Sequence, residues 1–148
     1  MHYFTLLNLP PTFDLDLSAL ESAYFTAQRQ YHPDRFVGKP PSERTAALQH
    51  SADINKAYDT LKDPLKRAQY LLHLQGIAVG TEADSVKPSQ EILVEAMELR
   101  EEPPPKEKLE KMIAASIAAI GNHYQAKAFP QMAQETLRLG YLVNLRKS

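Results

Sequence analysis

His32 and Asp34 are separated by a single proline, and no other residues in this 148-residue chain look as ready for chemistry. An imidazole can exchange a proton near neutral pH, and a nearby carboxylate can orient it. Such a pair needs a nucleophile or a substrate pocket within reach to become an active site. No Gly-x-Ser-x-Gly elbow, phosphate-binding loop, dinucleotide fingerprint or paired-carboxylate frame accompanies it, so the chain is not expected to be an enzyme. A metal site would need three or four converging ligands. His2, His32, His50, His73 and His123 never fall four residues apart, no carboxylate–histidine cluster stands out, and there is no cysteine. Neither a metal nor a cofactor is therefore expected. Two readings of His-Pro-Asp remain open: a helix terminator braced by the aspartate, or a docking tip for another protein.

The elements around the tripeptide bear on that choice. Strict apolar–polar alternation is scarce and helical spacing is common, so the chain reads as all-α. The stretch 3–9, YFTLLNL, reads as a short helix ended by Pro10 and Pro11. Asp16 is the expected N-cap of the next helix, with Ser18 and Glu21 as a competing capping box. Leu17, Leu20, Tyr24, Ala27 and Tyr31 recur on one face of that helix. It stops at His32, because the residue before a proline is pushed out of the α region. After the loop FVGKPP a long helix covers about 42–61, with Ala47, Ser51, Ile54, Tyr58 and Leu61 on one face. The two stripes can face each other in an antiparallel hairpin whose tip carries His-Pro-Asp. Asp63 then caps a fourth helix with Pro64 at its first position.

Residues 76–88 have weak periodicity, two glycines and a proline, and read as a linker. Three helices follow at about 89–102, 106–127 and 130–146, an up–down–up bundle. On the first, Ile92, Ala96 and Leu99 form a core stripe. Leu93, Val94 and Met97 lie away from it as a second apolar strip, rimmed by Glu95, Glu98, Arg100, Glu101 and Glu102. On the last helix Met132, Thr136, Leu139 and Val143 share one side, and Leu137, Tyr141 and Leu145 share the other with Ala133 beside them. Two apolar sides mean either burial on both or a partner-binding patch.

Composition narrows the partners. Seventeen basic residues face 18 acidic ones, a formal charge of −1, which argues against binding nucleic acid by bulk charge. No apolar run is long enough to span a bilayer, and no membrane association is expected. The first residues lack the basic flank and cleavage pattern of a signal peptide, so the expected location is the cytoplasm.

The hairpin pattern, YHPDRF followed by SADINKAYDTLKDPLKRAQYLL at 51–72, resembles the J-domain over about residues 1–75. The glycine/phenylalanine tract and zinc module of general J-proteins are missing. YFTLLNLP, QRQYHPDRF, RAQYLL and MELREE together resemble the HscB family, J-domain co-chaperones of iron–sulfur cluster assembly, across nearly the whole chain. The resemblance implies a J-domain (1–75), a linker (76–88) and a three-helix scaffold-binding bundle (89–148). It implies that His32, Pro33 and Asp34, with Tyr31, Arg29 and Arg35 around them, engage a DnaK-type chaperone ATPase, HscA, and stimulate its ATP hydrolysis. It also implies that Leu93, Val94, Met97 and Tyr141 contact an IscU-type iron–sulfur scaffold protein. A J-domain co-chaperone serving a different client is the alternative. Arg29 is the only basic residue between 17 and 31, whereas J-domains usually present a more basic helix there. Arg35, Lys39, Lys62, Lys66 and Arg67 are the residues expected to compensate.

Overall fold

In the computed structural model, which describes residues 2–80 and 85–147, every regular element is helical. The first helix, α1 (Tyr3–Leu6), is a single turn. The Nδ1 atom of His2 accepts from the Thr5 N–H and starts it. Asn8 enters the left-handed region at φ 57° and ends it, two residues before the prolines thought to do so. Asp16 wins over the competing capping box: its Oδ1 accepts from the Ser18 N–H at 2.9 Å, starting α2 (Leu17–Tyr31). His32 ends α2 in extended backbone (φ −61°, ψ 137°), as the following proline requires.

A 3₁₀ turn (Pro33–Phe36) leads to α3 (Pro41–Lys62), which packs along α2. Leu20 and Ala27 of α2 are buried, as are Ala47, Ile54, Ala57 and Leu61 of α3, and Phe4, Leu7 and Phe13 are buried in this half too. Leu17 departs from the expected stripe and is 56% exposed. As the first helical residue, it sits just after the cap, where the chain is still turning into the helix. Next comes α4 (Pro64–Leu74), where the Oδ2 of Asp63 accepts from the Lys66 N–H at 3.0 Å, the cap the sequence predicts. It buries Ala68, Leu71, Leu72 and also Arg67, at 6% exposure. Arg67 is therefore removed from the set of surface cations.

The chain divides into two compact units, 1–66 and 67–148. That division falls ahead of the 76–88 segment read as a linker, whose residues 81–84 lie outside those described. In the second unit, α5 (Gln90–Glu101), α6 (Lys106–Gln125) and α7 (Phe129–Arg146) form the three-helix bundle. The contacts make α7 the central member, with α6 packed closely along it and α5 laid more lightly against it. Met132, Ala133, Thr136, Leu139 and Leu142 of α7 meet a core that includes Leu109, Ile113, Ser116 and Ile120 of α6. Ala133 thus joins the core instead of the opposite strip, and Leu142, assigned to neither side, joins it too. A helix flanked by two others buries a wider arc than one stripe.

Candidate functional sites: a hairpin tip and an apolar helix strip

Four side-chain links hold α2 and α3 in one register up to the tip. Tyr24 and Tyr58 stack with ring centroids 4.2 Å apart and an interplanar angle of 19°. Asn55 Oδ1 accepts from both the Tyr24 hydroxyl and the Gln28 Nε2, each at 2.7 Å. Ser51 Oγ donates to Gln28 Oε1 at 2.9 Å, while Gln28 Nε2 also reaches the Ser51 carbonyl at 3.3 Å. Next to the tip, Tyr31 stacks on His50 at 4.6 Å. None of these links is deep in the core, so they fix geometry more than they contribute burial energy.

His-Pro-Asp emerges from this clasp exposed, with Arg35 exposed and Tyr31 half-buried beside it. The histidine, not the aspartate, braces the turn: its Nδ1 accepts from the Asp34 N–H at 3.2 Å. The neutral ring then carries its proton on Nε2. The Asp34 carboxylate lies 3.6 Å from Nδ1 and is almost fully exposed. Proline at the first position fixes the turn's entry backbone. An open groove continues from the tip along the outer face of α2, lined by Ser22, Phe25, Arg29, His32, Asp34 and Arg35 among others. The groove beside the imidazole is open along its length. Its chemistry is that of a contact surface with a donor and a carboxylate displayed together.

In the second unit the two apolar strips of α5 separate as the wheel argument requires. Ile92, Ala96 and Leu99 are half-buried, whereas Leu93, Val94 and Met97 are 43%, 45% and 62% exposed. Tyr141 on α7 is half-buried, and so are Leu137 and Leu145. Glu95 was expected at the rim of the strip, but it is a strut. It takes both Nε (2.7 Å) and Nη2 (3.3 Å) of Arg138 on α7, while Nη1 reaches Glu135 at 3.0 Å. These carboxylates, Glu95 first, hold the Arg138 guanidinium above its ordinary pKa against the opposing effect of partial burial. Gln134 adds a second tie, donating to the Lys87 carbonyl at 2.9 Å and accepting from the Ser89 N–H at 2.8 Å. The α5 helix has no fully buried residue, so these polar ties carry much of its placement. Neither tie is legible from helical spacing, because glutamate and arginine at such positions also occur on solvated faces.

No three histidine, aspartate or glutamate side chains converge on a possible metal site among the described residues, and no described helix is long and apolar enough to cross a membrane.

Residues 2–70 match the DnaJ domain. With the hairpin and its exposed tripeptide, this makes the chain a J-domain protein. Over 102 residues it is 49% identical to the Co-chaperone protein HscB of Proteus mirabilis (strain HI4320), covering 69% of this chain and 58% of the relative's length. Chaperone HscB from Vibrio cholerae superposes with a TM-score of 0.83 at 34% identity, over 99% of this chain and 94% of that one. Human co-chaperone protein HscB gives 0.83 at 27% identity, over 99% and 79%. The chain belongs to the HscB co-chaperone family.

Proposed function

We propose that this protein is an adaptor of iron–sulfur cluster assembly, working in the cytoplasm with no active site of its own. In this reading the bundle binds an IscU-type scaffold protein through Leu93, Val94, Met97 and Tyr141. The hairpin tip, through His32, Pro33 and Asp34 with Tyr31, Arg29 and Arg35, engages an HscA/DnaK-type chaperone and stimulates its ATPase. Joining both surfaces on one chain raises the effective concentration of scaffold at the chaperone.

The observation that carries the reading is the exposure of Leu93, Val94 and Met97 as one strip. Leucine, valine and methionine contiguous on a helix surface are costly to leave in water and adapt well to a partner. The exposed tripeptide on an open groove supports the chaperone half.

The test separates the two surfaces. Leu93→Ala with Tyr141→Ala should weaken scaffold binding by at least about tenfold in calorimetry, the loss typical of interface anchors, and leave chaperone stimulation intact. Unchanged scaffold affinity in that double variant would overturn the assignment. A J-protein for a different client would bind no scaffold in the first place.

A further inference from the structure

We infer that Phe25 is an apolar anchor for the chaperone, gripping it beside His-Pro-Asp. The inference rests on the chaperone reading of the tip. On α2 between 17 and 31 the sequence offers Arg29 as the sole cation, balanced by Glu21. What the outer face offers instead is a phenylalanine ring 53% exposed to water. Phe25 lines the same open groove as Arg29, His32, Asp34 and Arg35, so an occupant touching the tripeptide meets the ring without a break in surface.

The ring also has an aromatic neighbour. It lies 5.5 Å from the Tyr24 ring at 51°, and Tyr24 is fixed in turn by its stack on Tyr58 and its hydrogen bond to Asn55. An aromatic side chain has only two torsions to fix on binding, which is what makes such residues effective anchors. Along the groove Arg29 and Arg35 outnumber the single carboxylate of Asp34, which selects a chaperone segment presenting a bulky aliphatic side chain next to a carboxylate.

The test is a titration of the full chain against a purified HscA-type chaperone with ATP, reading the stimulated rate. Phe25→Gln suits an exposed helix position and should leave thermal unfolding unchanged. It should raise the half-stimulating concentration about tenfold, as loss of an anchor does, with the plateau rate retained. Phe25→Leu keeps most of the apolar area and should restore most of the affinity. A half-stimulating concentration for Phe25→Gln within about twofold of the parent, or a lowered plateau at unchanged concentration dependence, overturns the anchor. Full stimulation by His32→Gln would instead overturn the chaperone reading beneath it.

Discussion

The imidazole Nδ1 of His32 accepts a hydrogen bond from the backbone N–H of Asp34, two residues on, at 3.2 Å. One ring nitrogen is thus committed to holding the 3₁₀ turn, and the other is left to face outward chemistry. The proline between them fixes the entry backbone, so the tripeptide is a single small device. Its fixed parts are internal and its displayed parts are the Nε2 donor and the Asp34 carboxylate.

Two substitutions at His32 divide those duties. Asparagine can place its side-chain oxygen near the Nδ1 position and cap the turn, but has nothing at Nε2. Glutamine reaches toward Nε2 but caps poorly. Under the proposed function both should abolish stimulation of the chaperone ATPase while scaffold affinity stays within about twofold. A steady-state ATPase assay with the scaffold titrated separately checks this. Only the asparagine variant should keep the melting temperature of the parent.

Asn55 serves two donors from the neighbouring helix with one oxygen. Asn55→Ala leaves the Tyr24 hydroxyl and the Gln28 amide to water, which reaches both, so the cost is about 1 kcal/mol. For a chain of this size that is a fall of about 3 °C in melting temperature. Stimulation of the chaperone should weaken as well, because the register that presents the tip loosens. A thermal melt followed by circular dichroism, set beside the ATPase titration, reads both effects.

Periodicity made the helices legible, and capping chemistry fixed their starts at Asp16 and Asp63. The exposed strip of α5 was legible for the same reason: Leu93, Val94 and Met97 lie off the stripe of Ile92, Ala96 and Leu99, and one helix has one supporting face. The pattern failed where burial depends on a second neighbour or on a helix end. Ala133 and Leu142 are buried because α7 is flanked twice, and Leu17 is exposed because it stands at the start of α2. Charged residues were the least legible. Arg67 is buried and Glu95 is bound to Arg138, yet both read as surface charge in one dimension. The anchoring of His32 to its own turn was equally hidden, since side chain–backbone bonds leave no periodic trace.

Two hydroxyls in the core of the α6–α7 pair predict effects of opposite sign. Thr136 Oγ1 donates to the Met132 carbonyl at 2.7 Å and is satisfied. Ser116 Oγ is fully buried and finds no hydrogen-bond partner among the described residues. A buried unsatisfied hydroxyl costs on the order of 1–3 kcal/mol. Ser116→Ala removes that cost with almost no change in volume and should stabilise by about 1 kcal/mol, whereas Thr136→Val should destabilise by about as much. Urea denaturation of the full chain measures both, and a destabilised Ser116→Ala would show that the hydroxyl has a partner after all.

Arg138 is not part of the apolar strip, but it holds the helix that carries it. Removing the guanidinium leaves Glu95 and Glu135 without their shared cation and loosens α5, which has no fully buried residue and keeps only the Gln134 tie at its start. These groups are only partly withdrawn from water, so Arg138→Ala should cost about 1–2 kcal/mol, between the values for exposed and buried pairs. The pH dependence follows from the raised guanidinium pKa. A cation whose folded-state pKa is raised stabilises below its unfolded value, and that contribution fades only as pH climbs through the still higher folded value. The strut is therefore constant through the neutral range, and salt rather than pH should weaken it. Under the proposed function the variant should also lose scaffold affinity several-fold while chaperone stimulation by the tip is unaffected. Calorimetry against the scaffold at low and high salt tests the point. Scaffold affinity equal to the parent's would mean that Ile92, Ala96 and Leu99, with the Gln134 tie, suffice to seat α5.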